Sequence, residues 1–140
     1  MANALYSKAK ERALTDAGIQ WSTGNIKAIL VCTTGGGDGQ YDFSAAHEFR
    51  SSIHDDAHVA TSANLGTKSV TNGVADAADV TFTAVTGSAV GAVVLYRDTA
   101  NKATDELIAY IDSATGLPVT PNGGDITVEW DDGINKIFAL

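Results

Sequence analysis

Val93–Leu140 reads VVLYRDTANKATDELIAYIDSATGLPVTPNGGDITVEWDDGINKIFAL, and this stretch decides the fold. It contains four short apolar runs, each ended by turn residues, with no gap between them long enough for a helix. Val93–Arg97 and Leu107–Ile111 are almost continuously apolar, so both faces of those strands should be covered. Ile126, Val128 and Trp130 alternate with Thr127 and Glu129, the pattern of a half-buried strand. The polar loop Asp98–Asp105 should be the tip between two central antiparallel strands. The segment between Ser113 and Asp125 holds both prolines, Pro118 and Pro121. Proline cannot donate to a ladder, which keeps this segment outside the sheet. The final run, Ile134–Leu140, either closes the chain's own sheet or docks on a neighbour through Phe138 and Leu140.

Upstream, the same logic gives more strands. Asn72-Gly73 within KSVTNGV is a hairpin turn signal. In VTFTAV, Val80, Phe82 and Ala84 alternate with Thr81, Thr83 and Val85, and a further strand runs over Ala89–Arg97. Ile26–Thr33 is a strand with Ile26, Ala28 and Leu30 on one face and Ile29 and Val31 on the other. His58–Ser62 is a short extended piece. Asn3 can cap a helix over Ala4–Ala17 with Leu5, Ala9, Ala13 and Ala17 in one stripe and Gly18 as its stop. Ser44 can start one or two helical turns through Ile53, burying Ala46, Phe49 and Ile53. The expected fold is mainly β: an antiparallel β-sandwich or rolled sheet of about seven strands with one N-terminal helix, in a single domain over residues 1–140.

With 140 residues and a hydrophobic share of 44%, the chain can bury a real core. Its formal charge is -8, from 17 acidic and 9 basic residues. That balance argues against nucleic acid as a partner, because phosphate binding needs a basic patch, and against anionic membrane surfaces. No apolar run approaches a membrane span. The N-terminal segment has scattered charges and no apolar core of a signal peptide, which points to synthesis in the cytoplasm.

Candidate chemistry is sparse. Thr33–Gln40, TTGGGDGQ, follows a strand but lacks both the G-x-G-x-x-G spacing and the Lys-Ser/Thr of a phosphate loop, and Asp38 would repel a phosphate. It reads as a surface loop. His47, His54 and His58 lie near Glu48, Asp55 and Asp56, a composition able to ligate a metal. His54 and His58 have helical i, i+4 spacing, but the HDDAH segment has no strong helix signal and lacks the HExxH glutamate, so the region reads as a solvated polar turn with no metal and no cofactor. Cys32 is either a small apolar residue at a strand end or the donor of an intermolecular disulfide to a neighbouring subunit. No nucleophile motif surrounds it, so no catalytic residue is assigned and no enzyme activity is expected. Loops Gly35–Gln40 and Leu117–Gly124 are the expected places for partner contact, with Gly36, Asp38, Leu117, Pro118 and Pro121 as candidate contact residues.

Three segments together carry a resemblance. LIAYIDSATGLPVTPNGGDITVEWDDGINKIFAL (Leu107–Leu140) resembles the C-terminal half of a family of small virion structural proteins of tailed bacteriophages. AHEFRSSIHDDAHVATSANLGTKSVTNGVADAADVTFTAVTG (Ala46–Gly87) is similar to the middle of that family, and ALYSKAKERALTDAGIQWSTGNIKAILV (Ala4–Val31) to its opening. The combination of LIAYID with LPVTPNGGDITVEWD is its most specific part. The resemblance implies a non-enzymatic role in the virion as a capsid decoration, a neck or collar component, or a tail accessory. The implied partners are the major capsid, portal or neck, or tail proteins, together with further copies of this chain in a homo-oligomer. At Cys32 the sequence departs from the family, whose strand more usually meets a small polar or acidic residue there. A carbohydrate- or receptor-binding β-module is the alternative, in which Trp21 and Trp130 would be stacking platforms.

Overall fold

The computed structural model describes residues 4–15, 18–114, 116–131, 133, 134 and 136–139. In chain order these form β1 (Ala4–Leu5), α1 (Ser7–Ala13), β2 (Ile26–Val31), β3 (His58–Thr61), β4 (Ser69–Thr71), β5 (Val74–Asp76), β6 (Val80–Phe82), β7 (Ala92–Arg97), β8 (Glu106–Ile111), β9 (Ile126–Val128) and β10 (Phe138–Ala139). Single 3₁₀ turns lie at Gly37–Gly39, Arg50–Ser52 and Asp55–Ala57. The architecture is mainly β and antiparallel. Three of the ten strands have three residues upstream of β7 and two have only two, which is why a reading from apolar runs counts fewer.

The two apolar runs of the C-terminal third form the middle of the main sheet, whose spatial order is β1-β8-β7-β2-β3. β7 pairs with β2 from Ile26↔Arg97 to Val31↔Ala92, and with β8 from Val93↔Ile111 to Arg97↔Glu106. Both faces are covered. On one lie Ile26, Ala28, Leu30, Val93 and Leu95, packed with Phe82, Val128, Trp130 and Ile137. On the other lie Ile29, Val31, Val94, Tyr96 and Tyr110, packed with Tyr6, Ala9, Tyr41, Ile53 and Ala57. The opposite facing of alternate β2 residues is as the alternation predicts. β8 departs from alternation: the register slips so that Leu95 opposes Ala109 while Tyr96 opposes Leu107. Ile108 is the extra residue, and the bulge turns it onto the same face as Ala109.

The first cover consists of two small sheets. β4 and β5 form a hairpin about Asn72 (φ 52°) and Gly73 (φ 79°), both in the left-handed region that a tight two-residue turn requires. β10 adds to it through Phe138↔Ala75 and Ala139↔Val74, so the C-terminal run closes the chain's own sheet. β6 and β9 form the second pair, with a 2.9 Å hydrogen bond between the Thr81 and Thr127 hydroxyls. The alternation read over Val80–Val85 breaks at Ala84, whose φ of 49° turns the chain, so that Ala84 is exposed and Val85 is buried. Because Gly73 sits at positive φ, Gly73→Ala should cost about 1 kcal/mol, read as a lower urea midpoint.

The second cover is α1 and the connector from Thr33 to Ala57. The helix is shorter than its alanine stripe predicts, because Ala4 and Leu5 pair with Tyr110 and Ala109 at the edge of β8. The Tyr6 amide then donates to the Ile108 carbonyl (3.1 Å), and its ring is fully buried. Strand pairing plus that burial outweighs alanine's modest helix preference at these positions. Asn3, the expected cap, and Ala17 lie outside the described residues. The helical turns expected over Ser44–Ile53 reduce to the one at Arg50–Ser52. Phe49 is instead extended and bridges Glu106, while the amides of Arg50 and Leu107 donate to the carbonyls of Asp105 (2.8 Å) and Glu48 (2.9 Å). Ile53 is buried as expected, Phe49 is half-buried and Ala46 is exposed.

Candidate functional site

Among the described residues Asp105 is the buried charged one, with 0 % of its surface exposed. Its Oδ2 accepts from Arg50 Nε at 2.7 Å, and its Oδ1 accepts from the Thr99 amide at 2.7 Å and the Thr99 hydroxyl at 2.9 Å. The Arg50 guanidinium also stacks 5.3 Å from the Tyr96 ring centroid. The connector is thereby fastened to the β7–β8 loop. Around this end of the sheet, Glu106 pairs with Arg12 and Arg97, Glu48 with Arg12, Asp98 with Lys27, and Asp55 with Lys102. Nothing in the sequence alone singles out Asp105, since it reads there as one more polar loop residue.

A hydrogen-bonded chain runs from the core toward the surface. The Tyr6 and Tyr41 hydroxyls are 2.7 Å apart, and the Tyr41 hydroxyl lies 2.9 Å from His47 Nδ1. With His47 neutral and its proton on Nε2, Nδ1 accepts from the Tyr41 hydroxyl, which in turn accepts from Tyr6. Burial raises the pKa of Tyr6 and pushes that of Tyr41 up to about 12, and it lowers that of His47. Each group therefore stays neutral at physiological pH, and the chain works as structural bonding.

The three histidines do not converge. His54 is exposed, its ring nitrogens 3.6 Å from Asp38 and 3.7 Å from Asp56, whereas His47 belongs to the tyrosine chain. His58 opens β3 and has a buried Nε2 without a hydrogen-bond partner. Among the described residues no group of three or more His, Cys, Asp or Glu is placed to hold a metal ion.

Cys32 lies just past β2 with 3 % of its surface exposed. Its amide donates to the Ala57 carbonyl (2.9 Å) and its thiol to the Thr34 carbonyl (3.0 Å) of the following loop. This is the placement of a small apolar residue at a strand end, and it keeps the thiol out of reach of a second chain. The protein should therefore run as a monomer in denaturing gels with and without reductant, and at neutral pH Cys32 should react with thiol reagents far more slowly in the native protein than after denaturation. A dimer lost on reduction would contradict this.

The expected contact residues are spread over several surfaces. Gly36 and Asp38 are exposed on the loop after β2, and Pro118 is exposed while Leu117 packs partly on the core. Pro121 is half-buried, and Leu140 lies outside the described residues. Phe138 meets Trp21 edge-on, with centroids 5.2 Å apart at 85°. Beside this pair is a groove of about 190 Å³ lined by Ala13, Ile19, Trp21, Val70, Ala75 and Phe138, with no charged side chain among its described lining residues. Val70 is 52 % exposed at its rim, and Ile134, near the outer side of the β4–β5–β10 sheet, is 89 % exposed.

Both indoles are buried. Trp21 Nε1 donates to the Asp76 carbonyl (3.0 Å), and Trp130 Nε1 to the Ala78 carbonyl (3.0 Å). Neither offers its ring face to a sugar. Compared with protein-family models and with curated proteins, the sequence matches none, so the surfaces described above rest on their own geometry.

Proposed function

We propose that the chain is a non-enzymatic structural subunit of a tailed-phage particle, held at the capsid surface or at the head–tail neck or collar by contacts with neighbouring virion subunits. The resemblance over Ala4–Val31, Ala46–Gly87 and Leu107–Leu140 motivates this reading. The observation that carries it is the position of the exposed apolar side chains. Val70 stands exposed at the rim of the groove without charged side chains, while Ile134 is exposed beside Asp76 and Lys136 at the same small sheet, on a chain of formal charge -8. Apolar, charge-free area on an acidic surface suits shape-matched contact with another protein. The charge also opposes random self-adhesion and attachment to packaged DNA.

In this reading the subunit is made in the host cytoplasm and joins the virion, where it contacts capsid, portal or neck, or tail proteins and further copies of itself. A tail accessory is the variant of the same role. A carbohydrate-binding module would need platforms other than Trp21 and Trp130. Mass spectrometry and cryo-electron microscopy of purified virions test the proposal, and the expected result is stoichiometric density in a symmetric ring or lattice. Absence from mature particles, or turnover of a substrate by the isolated chain, would overturn it.

A further inference from the structure

The dipeptide Asn-Gly occurs at Asn72-Gly73 and again at Asn122-Gly123, and the fold holds the two in opposite ways. Asn-Gly is open to attack within the chain, because glycine has no Cβ to shield its amide nitrogen from the neighbouring carboxamide. The attack needs that nitrogen free of other bonds and turned toward the asparagine Cγ.

At Asn122 neither condition is met. The Gly123 amide donates to the Val85 carbonyl (2.8 Å), and Asn122 Oδ1 accepts from the Gly124 amide (2.9 Å). The Val85 amide donates in turn to the Gly124 carbonyl (2.9 Å), so nitrogen and carboxamide are both tied down. Asn72, by contrast, is exposed at the tip of the β4–β5 hairpin. Neither its carboxamide nor the Gly73 amide makes a hydrogen bond among the described residues. Positive φ at both Asn72 (52°) and Gly73 (79°) makes this a type I′ turn. Rotating the peptide plane between them gives the type II′ turn, the other favoured two-residue loop, with the Asn72 ψ near about −120°. That rotation carries the Gly73 nitrogen round to the Asn72 side chain. It leaves the pairing of Thr71 with Val74 in place, because the Gly73 amide takes no part in the ladder.

We infer that Asn72 is a site of spontaneous deamidation and that the fold protects Asn122 from the same reaction. The Gly73 nitrogen attacks Asn72 Cγ, and the new N–C bond closes a five-membered succinimide. Nδ2 leaves as ammonia, taking up the proton that the Gly73 nitrogen loses. Water then opens the imide at either carbonyl, giving aspartate or isoaspartate, and both products add one negative charge. Isoaspartate also routes the main chain through Cβ, so the loop gains an atom and no longer fits the pairing of Thr71 with Val74. Val70 and Ala75, the next pair along, line the groove beside Trp21 and Phe138, so this product loosens the strand at the groove's rim. The reaction needs no partner and proceeds whether or not the chain joins a virion.

The experiment is incubation of the native protein at mildly alkaline pH, followed over time by peptide mapping with mass spectrometry, beside the same incubation in urea. Unfolded, the two sites should react at similar rates, since glycine follows each. In the native protein conversion at Asn72 should exceed that at Asn122 on the order of tenfold or more, because the hydrogen bonds of the Asn122 turn must break before attack. Amide exchange of the separated isoaspartyl fraction should be faster in β4 and β5 than in fresh protein. Asn72→Asp, which brings the charge without the longer main chain, should exchange like fresh protein. Equal native rates at the two sites, faster conversion at Asn122, or an Asn72 that reacts in urea but not in the native protein would each overturn the assignment. Unchanged β4 exchange in the isoaspartyl fraction would overturn the loosening.

Discussion

Asp105→Ala should lower the free energy of unfolding by about 3–5 kcal/mol, the cost of removing one member of a buried ion pair. The carboxylate is fully buried and accepts from Arg50 Nε, the Thr99 amide and the Thr99 hydroxyl, all within 2.9 Å. Removing it leaves the Thr99 amide without its acceptor and Arg50 without its counter-ion, beneath a connector that crosses a whole face of the sheet. Asp105→Asn should not rescue the fold fully. An amide that keeps its oxygen toward Thr99 presents its own N–H groups to Arg50, donor against donor. Urea denaturation of Asp105→Ala, Arg50→Met and the double variant separates the contributions. The double variant should be more stable than the sum of the singles requires, by about 1–3 kcal/mol. Strict additivity would mean that the pair does not act as a unit.

Trp130→Ala should cost about 3–5 kcal/mol. The indole is 5 % exposed and packs in the cluster with Phe82, Val128 and Ile137. Its Nε1–H donates to the Ala78 carbonyl, and its backbone amide donates to Asp79 Oδ1 at 3.0 Å. Trp130→Phe should cost less, since most of the apolar volume remains and only the Ala78 carbonyl loses its donor. Thermal and urea unfolding of the two variants measure the difference. A Trp130→Ala protein with unchanged stability but altered binding to a glycan would return the indole to a recognition role.

The parts of the fold that could be read from sequence were those in which pattern and burial agree. Ile26 to Val31 divides cleanly between two faces, Asn72-Gly73 turns its hairpin, and Ile126, Val128 and Trp130 point inward together. The misreadings arose where a distant backbone competed with a local preference. Ala4 and Leu5 carry helix-forming composition, yet the open edge of β8 recruits them as a strand. Phe49 carries the same ambiguity and is drawn out straight by Glu106. The Ala84 turn and the Ile108 bulge change facing by backbone conformation, which residue type alone does not signal. The candidate surfaces were less legible still. The Cys32 amide finds its acceptor on Ala57, more than twenty residues away in the chain, and the Tyr6–Tyr41 hydroxyl contact joins residues separated by 35 positions. Such contacts exist only once the sheet has assembled.

The spatial order of the main sheet also bears on synthesis. β2 leaves the ribosome early, but its partner on one side is β7, with Ile26 paired to Arg97, and β7 in turn needs β8. Until the β7–β8 hairpin has emerged, a strand with two apolar faces has nothing to lie against on that side. Productive collapse should therefore wait for the late hairpin, and arrested nascent chains ending before Glu106 should be protease-sensitive and bound by holdase chaperones, whereas chains released past Ile111 should become resistant.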